Sequence, residues 1–366
     1  MSVESEFSQE NFLRATHQAN RARVLAHLLT PVLHEIFPHI FLEPPTITAL
    51  SGQGWSNLTV RVRNRGATTG YILRLCPRVA PPDSAPSHSV QHYEKERFIL
   101  EQLQRYEFVP RAVPAGAGVL SLVIPGRGET DFAYSLQQEM PFVSGREVCT
   151  KLDREHTLTK LGAIARKIHS VRLEGYGNEF DEQTRRFKRP DFLACIEDKL
   201  SGIERSSLAV GMKRWLTARV EALAALKPKS CLYHRDLLGN WGNFLVDSVG
   251  DVRGIIDWEF AGVGPALHME IASLVYVLNR DGVTPDCVER DLSAVLSGYG
   301  VSRAEYRDCY ERDVETFVLL NSVSALMKLD DLRRSGSLAK EPWRLRFAER
   351  ASGLCQRCFA NDRVAA

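Results

Sequence analysis

Along this chain the hydrophobic pattern changes period. From residue 46 to residue 76 apolar and polar positions alternate in short runs, and beyond residue 190 they recur almost throughout at helical spacing. The alternating part predicts strands at Thr46–Ser51, Leu58–Arg63 and Tyr71–Cys76, with two more at Val119–Ile124 and Phe132–Met140. A helix over 92–103 separates the two groups, and Val109-Pro110 stops it because a residue before proline avoids helical geometry. Ahead of the strands, Val24, Leu25, Leu28, Leu29, Val32, Leu33 and Ile36 share one face of an amphipathic helix. After them, Leu158, Leu161, Ile164, Ala165 and Ile168 mark a helix over 157–170. Further helices are expected over 191–205, 209–226, 268–279, 285–298, 303–329 and 342–358. One hairpin interrupts the helical stretch, Phe244–Asp247 and Val252–Ile256 around a Gly250-Asp251 turn. The plan is α+β in three segments: a helical extension over 1–45, a sheet-rich part over 46–141 and a mostly helical part over 142–366.

Composition alters this picture little. With 366 residues the chain can bury two cores. The formal charge is +2, from 47 basic and 45 acidic side chains, so neither nucleic acid nor a membrane surface is an expected partner. No apolar run reaches a bilayer span, the first dozen residues are polar and acidic, and a cytoplasmic location is expected. Eight scattered cysteines include one close pair, Cys355 and Cys358, without a second pair at zinc-site spacing, which predicts free thiols.

Candidate chemistry concentrates in residues 231–260. His234-Arg235-Asp236 is followed, 21 residues after the aspartate, by Asp257 at the end of an apolar strand, with Asn243 between them. Phosphoryl transfer needs one carboxylate to orient the attacking hydroxyl and another to hold a metal ion on the phosphates. Asp236 suits the first task. Asp257 with Asn243 suits the second, because the hairpin sets Asn243 and Asp257 at neighbouring ends. Upstream, strand, small-residue loop (Gly52, Gly54, Ser56), strand, turn, strand is an order that lets backbone amides cover nucleotide phosphates.

These motifs resemble the catalytic and metal motifs of the aminoglycoside phosphotransferase and choline kinase superfamily, the small-molecule branch of the protein-kinase-like fold. The resemblance spans about residues 46–280. It implies a bilobal fold, with a small antiparallel-sheet N-lobe that binds nucleotide and a larger helical C-lobe that binds substrate. It also implies ATP as donor, with GTP as an alternative, and Mg²⁺ as the metal. Arg74 stands where the family has a lysine, and Glu96 is its expected partner. Glu96 shares the apolar face with Leu100 and Leu103, whereas Glu94 lies about 160° away round the helix. Glu139, Met140 and Phe142 fall in a segment like the family's adenine-binding hinge. His169 looks like a large-lobe helix histidine, for which a packing role is expected.

Three departures stand out. Arg235 replaces the glycine common between the histidine and the aspartate. The interval from Asp236 to Asn243 is longer than usual, which leaves Asn240 as a competing metal residue. No Asp-Phe-Gly or Ala-Pro-Glu segment follows, which argues against a protein kinase. The implied activity is transfer of a phosphoryl group to a small-molecule hydroxyl, an antibiotic or other natural product being favoured over choline, sugar or homoserine. A nucleotide-binding pseudokinase scaffold is the alternative of another class. From Glu259 onward 16 acidic residues meet 14 basic ones, so the balance does not favour a polycationic acceptor; Glu259, Glu270, Asp330 and Asp331 are the acids of interest. Trp241 and Trp258 flank the metal residues. Either a monomer or a homodimer is compatible with the sequence.

Overall fold

The computed structural model describes residues 18–50, 58–77, 90–124, 128–334 and 343–365. The chain divides into two compact units, Met1–Pro141 and Phe142–Ala366. The expected phosphate-covering loop with Gly52, Gly54 and Ser56 lies outside the described residues.

The first unit begins with helix α1 (Gln18–Ile36), followed by strands β1 (Thr46–Ala49), β2 (Leu58–Arg63) and β3 (Tyr71–Pro77). Helix α2 (Val90–Leu103) precedes β4 (Ala112–Ile124) and β5 (Gly128–Gln138). These strands form one antiparallel sheet in the order β1-β2-β3-β5-β4. Alternation decides which face each residue serves. Val60, Val62, Leu73 and Leu75 point to one side and pack with Leu29, Leu33, Phe37 and Phe41, so the N-terminal helix is part of this core. Cys76 lies on the other side with Ala117, Ala133 and Tyr93 of α2. Arg74, two residues before Cys76, therefore faces α2.

In the second unit, β6 (Val143–Ser144) and the short helix α3 (Gly145–Val148) lead to α4 (Arg154–His169). Strands β7 (Tyr176–Asp181) and β8 (Arg186–Arg189) follow, then α5 (Phe192–Arg205) and α6 (Val210–Leu223). Next come β9 (Cys231–Tyr233), β10 (Phe244–Val246), β11 (Val252–Ile255), a 3₁₀ turn at Trp258–Phe260 and β12 (Gly262–Gly264). The rest is helical: α7 (Ala266–Asp281), α8 (Pro285–Tyr299), α9 (Arg303–Cys309), α10 (Glu311–Arg334) and α11 (Trp343–Ala365). Helices α4 and α8 meet closely because both carry glycine at the contact. A Cβ on Gly298 would stand 1.8 Å from the Thr159 carbonyl oxygen, and one on Gly162 would stand 2.2 Å from that of Val295.

Two sequence expectations change. The helix expected over 303–329 is two helices, because Tyr310 leaves helical geometry (φ −129°) and sets its ring 5.3 Å from His268. Strands β7 and β8 escaped the pattern because their residues are largely polar and exposed. They are held by the Phe180–Phe187 ring contact at 5.8 Å and by Asp181, which accepts from Gln183 and Thr184 in the turn. No described helix is long and apolar enough to cross a membrane.

Candidate active site

In the second unit the site grows from two small sheets. Strand β10 pairs with β11 so that Phe244 faces Ile255, and the Ile256 amide donates to the Asn243 carbonyl at 2.9 Å. This register sets Asn243 beside the residue that precedes Asp257. Strand β9, from the other sheet, runs directly into His234-Arg235-Asp236. The His234 ring ties the two together. Its Nε2 meets the Ile256 carbonyl at 3.0 Å, so that nitrogen carries the proton, and its ring packs 4.6 Å from Trp258. Trp258 is fully buried and packs rather than presenting a stacking face.

Asp236 sits at the centre of an amide cage. Asn240 and Asn243 each donate from Nδ2 to its Oδ2 at 2.9 Å, and Asn243 also donates to the Asp236 carbonyl at 3.0 Å. Burial pushes the Asp236 carboxyl above its ordinary value, and the nearby Asp257 charge adds to this. The two asparagines and His234 oppose the shift without cancelling it.

The two asparagines differ in what their oxygens do. Asn240 Oδ1 accepts from Arg146 Nη2 at 2.7 Å and from the Gly242 amide at 3.0 Å. Asn243 is buried at the end of β10 with its Nδ2 turned to Asp236, which directs its Oδ1 elsewhere. Asn243 Oδ1 and the Asp257 carboxylate are hard oxygen donors of the kind Mg²⁺ takes when phosphates and water complete its shell. Among the described residues no group of three or more His, Cys, Asp or Glu could hold a metal without such help.

Backbone geometry at this site is unusual in two places. Arg235 (φ 73°) and Asp257 (φ 69°) both occupy the left-handed region. Aspartate tolerates that region better than most residues, whereas an arginine there costs of order 1 kcal/mol or more. The conformation explains why glycine suits the position between the histidine and the aspartate.

Glu270, on α7, holds the strained segment. Its Oε1 accepts from the His234 amide at 2.5 Å and from the Arg235 amide at 2.8 Å. Burial works to raise the Glu270 carboxyl, but His169 and His234 beside it, together with the Arg235 amide, bring it below its ordinary value. His169 Nε2 stands 4.0 Å from Glu270 Oε1, beyond hydrogen-bond range. Glu270 is therefore a buried clamp on the His234–Asp236 loop, not a pocket acid awaiting a cationic acceptor. The sequence did not reveal this, because nothing in it aligns a helix residue with amides 35 positions away. His169 takes a packing role, its Nδ1 3.0 Å from the Tyr299 hydroxyl.

In the first unit Arg74 and Glu96 form a buried ion pair, with Arg74 Nη1 2.9 and 2.8 Å from the two carboxylate oxygens. Glu94 turns instead to Arg97 at 2.7 Å. The side chain of Glu139 is engaged within the first unit. Its amide donates to the Gly70 carbonyl at 2.8 Å, and its carboxylate holds Arg61 at 2.6 Å and Arg63 at 3.1 Å. Its amide and its charge thus fasten the end of β5. Met140 and Phe142 are half-buried and follow directly.

Comparison with known proteins bears on the family and the fold. The model of the phosphotransferase enzyme family matches residues 46–309. Among solved structures, an aminoglycoside phosphotransferase, APH(4)-Ia, is similar with a TM-score of 0.56 at 15% identity, over 90% of this chain and 98% of that one. The amicoumacin kinase hAmiN, in complex with AMP-PNP, Ca²⁺ and Ami, reaches 0.55 at 16% identity over 89% and 93%. A microcompartment-associated aminopropanol kinase reaches 0.51 at 18% identity over 91% and 98%. Comparison with curated protein sequences gives no match. The structural likenesses establish the bilobal kinase-like α+β fold, and the family model, which covers well over half of the chain, identifies this protein as a member of the phosphotransferase enzyme family.

Proposed function

We propose that this chain is an ATP-dependent kinase that transfers the terminal phosphoryl group to a hydroxyl of a small molecule. The observation that carries this reading is the cage around Asp236, a buried carboxylate with a raised pKa, set beside Asn243 and Asp257. In the step itself the acceptor oxygen bonds to the γ-phosphorus as the bond from that phosphorus to the β,γ-bridging oxygen breaks. The hydroxyl proton passes to Asp236, and ADP leaves. Amides from Asn240 and Asn243 fix one carboxylate oxygen, so the other is the oriented acceptor of that proton. Asn243 and Asp257 would hold Mg²⁺, which when bound neutralises phosphate charge. Arg74, held by Glu96, would bind phosphate oxygens, a role in which arginine keeps the charge and offers a two-pronged donor.

An antibiotic or other natural product is the acceptor class we favour, since an aminoglycoside phosphotransferase and an amicoumacin kinase are among the similar structures. The chain would act in the cytoplasm, as a monomer or homodimer. The test is ADP release by the purified chain with Mg²⁺ and ATP across hydroxyl-bearing compounds. Acceptor-dependent release that disappears in Asp236→Asn is expected. Release that Asp236→Asn leaves intact would overturn the reading.

A further inference from the structure

The segment between Asp236 and Asn243, the one whose length departs from the family motif, is held by two arginines from other elements. Strand β6 pairs with β10 so that Ser144 faces Leu245, and Ser144 caps α3 by accepting from the Arg146 amide at 3.3 Å. Gly145 follows the cap. A Cβ there would stand 2.2 Å from Phe244 Cε2, so glycine is what lets α3 close on the start of β10. This packing carries the Arg146 side chain to the segment, where its Nη2 donates to Asn240 Oδ1 at 2.7 Å. Gly242 makes room for the guanidinium, since a Cβ there would stand 3.1 Å from Arg146 Nη2. Between the two, Trp241 is fixed as well. Its ring centre lies 5.1 Å from the Arg154 guanidinium carbon and 5.4 Å from the Phe244 ring, and Arg154 is itself tied to the buried Asp291 at 2.9 Å.

Held in this way, Asn240 has one favourable setting for its amide. Its Oδ1 takes two donors, Arg146 Nη2 and the Gly242 amide at 3.0 Å, while its Nδ2 donates to Asp236 Oδ2 at 2.9 Å. Turning the amide over would set N–H groups against both donors and a carbonyl oxygen against the carboxylate, so all three contacts would become repulsive. Of the two donors to Oδ1 the guanidinium is the stronger, because it carries charge. By drawing electron density toward Oδ1 it also strengthens the N–H that Asn240 offers to Asp236, as linked hydrogen bonds do. Asn243 donates to the same Asp236 Oδ2, so that oxygen is occupied twice.

We propose that Arg146 is a positioning residue for phosphoryl transfer: it holds the Asn240 amide in the setting that keeps Asp236 Oδ2 occupied and leaves Asp236 Oδ1 for the acceptor hydroxyl. Arg146 acts through Asn240 and touches neither substrate. Its part in the reaction rests on the kinase reading above, whereas its hold on the amide does not.

Nuclear magnetic resonance of the full chain tests the hold apart from turnover. The Asn240 side-chain amide is assigned by its loss in Asn240→Ala. Arg146 is exposed, so Arg146→Met should fold. It should shift the Asn240 amide signals and speed their exchange with water, and Arg146→Lys should restore them in part. Unchanged Asn240 signals in Arg146→Met would overturn the proposal. Kinetics with an acceptor found by ADP release then test the role. Arg146→Met should lower kcat roughly tenfold, the usual cost of one charge-assisted hydrogen bond, with KM for ATP unchanged. Arg146→Lys should recover part of the loss. Asn240→Ala should lose at least as much, and the double variant should be no worse than Asn240→Ala alone, because the two residues act as one unit. Additive losses or a raised KM for ATP would overturn the proposal, since the guanidinium would then meet substrate directly. An unchanged kcat in Arg146→Met would overturn it too. Asn240 signals that respond to Arg146→Met, with wild-type transfer to no compound, would keep the hold and remove the kinase reading instead.

Discussion

Each unit buries charge, and the two do so in opposite ways. Arg74 and Glu96 in the first unit neutralise each other at hydrogen-bond distance, so both stay charged with little exposure. Asp236 in the second unit has neutral amides for partners and another carboxylate, Asp257, as a neighbour. The first arrangement fixes a charge in place. The second leaves a carboxylate poised to take a proton, at a cost in stability. Such a contrast matches the two roles proposed for these residues, one to hold phosphate and one to take a proton.

The largest expected effect strikes the poised carboxylate. Asp236→Asn should lower kcat at least about a hundredfold while ATP affinity changes little. Its stability should move the other way. The folded carboxyl is raised above its unfolded value, so its stabilising contribution is complete below the unfolded pKa and lost as pH rises through the folded one. At neutral pH the ionised group opposes folding, and Asp236→Asn should melt no lower than the wild type. A marked fall in Tm at neutral pH would mean that the cage depends on the charge after all. The same raised pKa places the acid limb of kcat/KM above the ordinary carboxylate range, and a limb at or below that range would contradict it.

Next comes the compensated pair. Arg74→Ala should reduce ATP use roughly ten- to a thousandfold, judged by kcat/KM for ATP. It should also destabilise the fold by about 3–5 kcal/mol in denaturant titration, because a buried ion pair loses one of its members. Arg74→Lys should recover part of both. Unchanged stability in Arg74→Ala would show that Glu96 simply protonates.

Metal dependence is a smaller effect, read by calorimetry. Asp257→Ala should abolish the gain in ATP affinity that Mg²⁺ confers, of order tenfold or about 1.4 kcal/mol. Asn240→Ala should spare that gain, since its oxygen serves Arg146 and Gly242. The reverse pattern would exchange the two asparagines.

Smallest is Glu270→Gln, which keeps an oxygen for the His234 and Arg235 amides and loses only charge. The folded Glu270 carboxyl lies below its ordinary value, so its stabilisation is present above the unfolded pKa and lost as pH falls through the folded one. A loss of about 1 kcal/mol at neutral pH is expected, shrinking as the solution is acidified through that lower range. A deficit that persists unchanged in acid would point to lost packing rather than lost charge.

Much of the fold was legible because its elements announce themselves by period. The first unit's strands, α2 and most of the C-terminal helices followed from alternation or helical spacing. Glu96 stood out over Glu94 because a helix fixes the angle between them, and the structure pairs Glu96 with Arg74. The β7–β8 hairpin was missed because a polar, exposed ribbon has no hydrophobic signature. The ion pairs of Glu139 were not legible, because its partners Arg61 and Arg63 come from a strand 76 or more residues earlier.

By itself the sequence determined which chemistry is present, since Asp236, Asn243 and Asp257 are spaced so that one hairpin gathers them, and local pairing rules suffice to close it. Tertiary structure alone decided how that chemistry is tuned. Charge and strain act through space, so the clamp from Glu270, the left-handed turn at Arg235 and the commitment of Asn240 to Arg146 all depend on elements far apart in the chain. Side-chain periodicity carries no information about which distant element will cover a given side chain, and that choice buries Asp236 and raises its carboxyl.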